Sequence, residues 1–99
     1  MAEEYNGYYN YNVWNIMLWI NNTRELYDRK IEIFKEYHKG KISYKVFKTR
    51  LGRLASGTKL NYSDIKKDKF TKKEKAEVVK DLVSEYRNDY KPYWDKEGY

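Results

Sequence analysis

The feature that most constrains this chain is residues 13–20, Val-Trp-Asn-Ile-Met-Leu-Trp-Ile, a run interrupted only by Asn15. Eight residues fall far short of the roughly 20 needed to cross a bilayer, so no membrane span is expected. As a helix, the run has almost no polar face. Such a helix must lie innermost in the fold or in an interface. A buried strand is the rival reading of so short an apolar stretch. The chain has 99 residues, enough for one domain (residues 1–99) with a real core, and its 18% aromatic content can supply that core's area.

The rest of the pattern is helical. Residues 1–10 show no helical period and read as a tail that docks through Tyr5, Tyr8 and Tyr9; their acidic start is not that of a signal peptide. Asn10 or Asn12 can cap the first helix. Asn22 and Glu25 have capping-box spacing before a second helix, from Thr23 to about Tyr37, with Gly40 as its stop. The two helices can equally be one kinked helix, because no Pro or Gly separates them. In the second helix Leu26, Tyr27, Ile31, Phe34 and His38 form the apolar stripe. Ser43 opens a third helix that Gly57 should end near Ser56, with Phe47, Leu51 and Leu54 on one face. Thr71 and Glu74 form a capping box for a last helix carrying Val79, Leu82, Val83, Tyr86 and Tyr90, which Pro92 should stop. Residues 91–99 then form an aromatic tail. The fold class expected is all-α: three or four helices in one small domain with an aromatic-rich core and ordered or partly ordered tails.

Charge is distributed unevenly. The formal net charge is +6, and residues 38–75 hold thirteen basic and three acidic groups, whereas residues 1–37 and 76–99 each hold four basic and six acidic. Lys, Tyr, Asn and Ile, all with A/T-rich codons, make up 42 residues, which accounts for the number of lysines but not for their clustering. A basic block of this kind is the footprint of a polyanion binder. The candidate nucleic-acid contacts are Lys45, Lys48, Arg50 and Arg53 on the third helix and Lys66, Lys67, Lys69, Lys72 and Lys73 around Phe70. The bland alternative is a solvated loop entering a helix, although cations at a helix start oppose its dipole at a cost of a few tenths of a kcal/mol, roughly, per charge.

The chemistry of catalysis is poorly represented. There is no Cys and only one His, which excludes disulfides, thiol nucleophiles and multi-histidine metal centres. His38 reads as an exposed helix-end residue, and no carboxylate that would orient it as a base is indicated. Glu25, Asp28, Glu32 and Glu36 interleave with Arg24, Arg29, Lys30 and Lys35 at salt-bridge spacing, and Glu77, Asp81, Glu85 and Asp89 repeat the pattern. There is no glycine-rich phosphate loop and no nucleophile elbow. An enzyme is not expected, and no catalytic residue, metal site, cofactor or small-molecule substrate is assigned.

Residues 9–22, Tyr-Asn-Tyr-Asn-Val-Trp-Asn-Ile-Met-Leu-Trp-Ile-Asn-Asn, carry a tyrosine–tryptophan–asparagine then leucine–tryptophan pattern. With the length and the Lys, Tyr and Asn usage, the whole chain resembles a small family of uncharacterised proteins shared by lipothrixviruses and rudiviruses, viruses of archaea. The resemblance implies expression in a hyperthermophilic, acidophilic host, hence a thermostable protein of the host cytoplasm or the virion. It supplies no activity and no site residues. The expected function is binding. One target class is DNA or RNA, through residues 41–75. The other is protein, through Tyr8, Tyr9, Tyr11, Trp14 and Trp19: a second copy in a homodimer, a virion component, or another viral or host protein that this one inhibits.

Overall fold

The computed structural model describes residues 4–63 and 70–98. Among them every element longer than a single bridge is helical, with α1 at Tyr11–Asn22, α2 at Arg24–His38, α3 at Tyr44–Asn61 and α4 at Lys72–Glu85. A π-helical turn, Tyr86–Tyr90, carries α4 directly into a short α5, Lys91–Lys96. Four rods result, and α1 and α3 each pack against the other three.

Local chemistry explains most boundaries. The Asn10 side chain, rather than Asn12, caps α1 by accepting from the Val13 amide at 3.0 Å. Thr23 is extended (φ −110°, ψ 118°), so α1 and α2 are two helices. The Asn22 and Glu25 capping box does not form. Asn22 is still inside α1 and donates its side-chain amide to the Leu18 carbonyl, and Thr23 takes the cap position without a side-chain bond. Gly40 ends α2 at φ +75°, where a side chain would be strained. Ser43 caps α3 through the Val46 amide, and Thr71 with Glu74 forms the complete reciprocal box at the start of α4.

Two expected stops fail. α3 runs through Gly57 to Asn61, because the turn beyond it has something to bury. Thr58 is fully buried with its hydroxyl donating to the Leu54 carbonyl. Beyond the helix, Ser63 donates to the buried Asn15 of α1 at 2.7 Å. These contacts offset the roughly 1 kcal/mol that an interior glycine costs. Pro92 does not end the last helix either. Tyr86–Tyr90 widens to i→i+5 bonding, with the Lys91 amide reaching the Tyr86 carbonyl, and Pro92 falls in the first turn of α5, where no amide proton is needed. Residues 91–96 are therefore helix rather than tail.

The core joins Val13, Ile16, Met17 and Ile20 of α1 to Phe34, Phe47, Leu51, Val78, Leu82 and Tyr86. Tyr37 stacks flat on Phe47 at 4.3 Å, and Tyr86 and Tyr90 close on Phe34. The 13–20 segment is thus helical and central on one side only: Leu18 is 42% exposed and Trp19 36%. Residues 5–8 turn back on themselves through mutual Tyr5 and Tyr8 backbone bonds, with Asn6 and Gly7 both at positive φ. This is the geometry an Asn-Gly pair favours.

Three polar groups inside the fold were not apparent from spacing. Lys30 is 1% exposed, paired with Glu85 at 2.6 Å and donating to Asn21 at 2.8 Å. Buried Glu74 accepts from the side chains of Asn10 and Asn12, tying the start of α1 to the start of α4. His38 is not an exposed helix end. Its imidazole is buried, Nδ1 lies 2.7 Å from the Tyr86 hydroxyl, and Nε2 lies 3.2 Å from Asp95 on α5.

Candidate nucleic-acid interface

Helices α3 and α4 lie side by side, and the groove between them encloses about 660 Å³. Each helix contributes a stripe at three- and four-residue steps. α3 presents Tyr44, Lys45, Lys48 and Thr49. The α4 rod presents Lys72, Lys75, Ala76, Val79, Lys80, Val83, Ser84 and Arg87. Ala76, Val79 and Val83 make an apolar floor, and six cations stand around it. Among the described residues no carboxylate lines the groove, and none of the six cations makes an ion pair.

Two details shape it. Gly52 of α3 is buried, and a methyl group there would come within 3.0 Å of Cε of Lys75, so the glycine lets the lysine stem lie across α3. At one end Tyr44 is half-exposed. The Lys48 ammonium sits 4.6 Å from its ring centre and the Arg87 guanidinium 5.6 Å. Tyr37 and Phe47 lie against the same ring at 5.9 and 6.4 Å.

The structure divides the cations singled out in the sequence. Lys45, Lys48 and Lys72 line the groove. Lys73 points elsewhere, pairing with Glu77 at 3.0 Å, a bond that raises its pKa, and lying over the Tyr9 ring. Arg50 is bound to Glu36 at 2.7 Å. With Arg53 it borders a separate recess of about 450 Å³ that also holds Arg29, Glu32 and Glu36, so the charge there is mixed. Lys66, Lys67 and Lys69 lie outside the described residues. The groove's remaining cations, Lys75, Lys80 and Arg87, and its one aromatic, Tyr44, were missed as site residues. Stepping three and four residues along the helix from Lys72 finds the α4 members.

The aromatic candidates also separate. Tyr8 and Tyr9 turn inward against the core. Burial, then Asp81 and Glu85, raise the Tyr8 hydroxyl's pKa. Tyr11 and Trp14 form an outer cluster with Tyr5, ring centres 4.8 to 5.5 Å apart. Trp19 packs on Tyr62 instead. Both ring nitrogens of His38 are engaged, by Tyr86 and Asp95, which leaves neither directed at a cavity. Among the described residues no group of three or more His, Asp or Glu is placed to hold a metal ion, and no helix is long and apolar enough to cross a membrane.

No curated protein and no solved structure matches the chain. A family of unknown function, DUF7249, matches residues 1–89, a span that contains every residue of the groove, and the chain belongs to that family.

Proposed function

We propose that this protein works by binding nucleic acid, without catalysis, in the groove between α3 and α4. The observation that carries the proposal is six cations around one apolar-floored concavity with no carboxylate among the described residues that line it. Charges kept for solubility are interleaved with the opposite sign, as they are along α2. Like charges that converge repel one another in the free protein, and a phosphate backbone converts that repulsion into attraction by releasing counterions. The resemblance of residues 9–22 to proteins of archaeal viruses favours a role during infection, in the host cytoplasm or the virion.

The test is a salt titration of binding to labelled DNA or RNA, begun at low salt because non-specific affinities are about 10⁻⁴–10⁻⁶ M at physiological salt. If all six cations meet phosphates of a single strand, log K should fall against log salt with a slope near −4, at about 0.7 per contact. Replacing Lys45, Lys48, Lys72 and Lys80 together by Gln should reduce that slope by about 3. Replacing Lys91 and Lys96, which lie outside the groove, should leave it unchanged. Equal binding by the two variants would remove the reading.

A second reading rests on the outer cluster of Tyr5, Tyr11 and Trp14 with exposed Leu18 beside it on α1. An aromatic patch of this kind suits self-association. Sedimentation should show a dimer that Leu18→Glu dissociates; a monomer at high micromolar concentration would exclude it.

A further inference from the structure

We infer that the groove between α3 and α4 takes a single strand of nucleic acid rather than a duplex, with one base stacked on Tyr44. The inference rests on the nucleic-acid reading above and specifies which form is bound.

Three observations separate the two forms. The first is the floor. Ala76, Val79 and Val83 open onto the same space as the cations. The outside of a duplex offers sugars and phosphates, which gain nothing from apolar cover, whereas unpaired bases do. The second is shape. A helix that reads a duplex projects into its major groove with side chains fanning outward. Here the cations of two helices converge across a concavity instead. The axes of packed helices lie about 8–10 Å apart, so the crease over their contact has the width of one strand and not of a duplex.

The third observation is Tyr44. Its ring is 38% exposed at the end of the groove, with the Tyr37 and Phe47 rings tilted against it at 5.9 and 6.4 Å, so part of it is packed and part is open to a base. Lys48 and Arg87 now lie over that ring. Both are long, flexible side chains. When a base arrives, they move to the phosphates on either side of it, and the base takes their place. The cation–π contacts given up are worth about 0.5–1 kcal/mol each at an exposed site, less than the charge-assisted phosphate contacts that replace them.

The experiment compares three polyanions at one salt concentration: fluorescein-labelled oligothymidylate, a labelled duplex of the same length, and inorganic polyphosphate as competitor. The wild-type protein should prefer the single strand. Tyr44→Leu should weaken oligothymidylate binding by about 5- to 150-fold, the range of one base–aromatic stack, and leave competition by polyphosphate unchanged. Tyr44→Trp should keep strand binding, and thermal unfolding should show both variants folded. Equal affinity for strand and duplex, or equal loss of strand and polyphosphate binding in Tyr44→Leu, would overturn the strand assignment while leaving the groove as a polyanion site. Failure of all three polyanions to bind would overturn the nucleic-acid reading itself.

Discussion

Replacing Lys30 by Met should be among the most damaging single changes in this protein. Lys30 lies in the middle of α2 with its ammonium enclosed. Glu85 is 2.6 Å away, the Asn21 side-chain oxygen 2.8 Å, and the Tyr27, Tyr90 and Phe34 ring centres 4.4, 5.6 and 5.8 Å. Its side chain is 1% exposed and that of Glu85 17%. Met fills nearly the same volume, so the cost is electrical rather than steric. The carboxylate of Glu85 stays mostly out of water and loses the charge that justified its burial. Breaking a buried pair from one side costs about 3–5 kcal/mol. Domains of this size have about 5–15 kcal/mol in all, so roughly a fifth or more of the stability is at stake. At about 4–8 °C per kcal/mol, the melting temperature should drop by roughly 12–40 °C.

The companion variant makes the argument refutable. Lys30→Met with Glu85→Leu removes both charges and leaves an apolar pair against Tyr27, Phe34 and Tyr90. Its stability should return to within about 1 kcal/mol of wild type, because well-packed apolar residues often equal a buried ion pair. Urea unfolding followed by circular dichroism would measure the full double-mutant cycle. A loss under about 1 kcal/mol in Lys30→Met, or additive losses in the double variant, would show that the pair is not the anchor its geometry describes.

Two predictions concern pH. Asp81 has an oxygen that is buried without a hydrogen-bond partner among the described residues, and burial first, then Glu77, holds its carboxyl above the ordinary range, with Lys80 partly opposing. A carboxyl with a raised folded pKa favours the fold while protonated and loses that contribution as pH rises through the folded value. Asp81→Asn should therefore raise the melting temperature at neutral pH and give no gain below about pH 3; an equal gain at both would contradict the cause assigned. At the other end of the scale, burial raises the hydroxyl pKa values of Tyr8, Tyr86 and Tyr90. The unfolded chain then ionises first, so stability should fall as pH climbs past about 10, less steeply in Tyr90→Phe. A urea midpoint that stays flat across that range would refute it.

Where an element depends on its own neighbours in the chain, it was readable. Asn10, Ser43, Gly40 and the Thr71 and Glu74 box act within one turn, and each behaves as its residue type dictates. The Asn6-Gly7 turn belongs with them: the dipeptide carries the signal, although periodicity alone makes residues 1–10 a tail. The Asn22 and Glu25 box is a local signal that failed, because Asn22 stays in α1 and bonds to Leu18; at Gly57 and Pro92 distant contacts decide. Gly57 stays helical because Thr58 buries itself one residue later. Pro92 is accommodated by a π turn whose Tyr86 and Tyr90 are anchored on Phe34, and only then does α5 bring Asp95 to His38. Nothing in the vicinity of Gly57 or Pro92 along the chain announces those partners.

The groove presents a different obstacle: charge acts across a face of the fold, not along the chain. Residues 72–90 hold five basic and five acidic groups, so as a segment they cancel. On the helix they do not. Glu77, Asp81 and Glu85 step by four residues along one side, where Glu77 meets Lys73, Glu85 meets Lys30, and Asp81 and Glu85 raise the pKa of Tyr8. Lys72, Lys75, Lys80 and Arg87 occupy the side that faces α3. Lys80 is next to Asp81 in sequence and about 100° from it around the axis, which is why it can serve the groove while its neighbour faces elsewhere. Lys72 and Lys73 part company for the same reason. Helical position can sort such charges into faces, but which face meets α3 is settled only by packing, with Gly52 of α3 against Lys75 and Val79 of α4. A neutral helix with one basic side and one acidic side is therefore able to build half of a cationic groove.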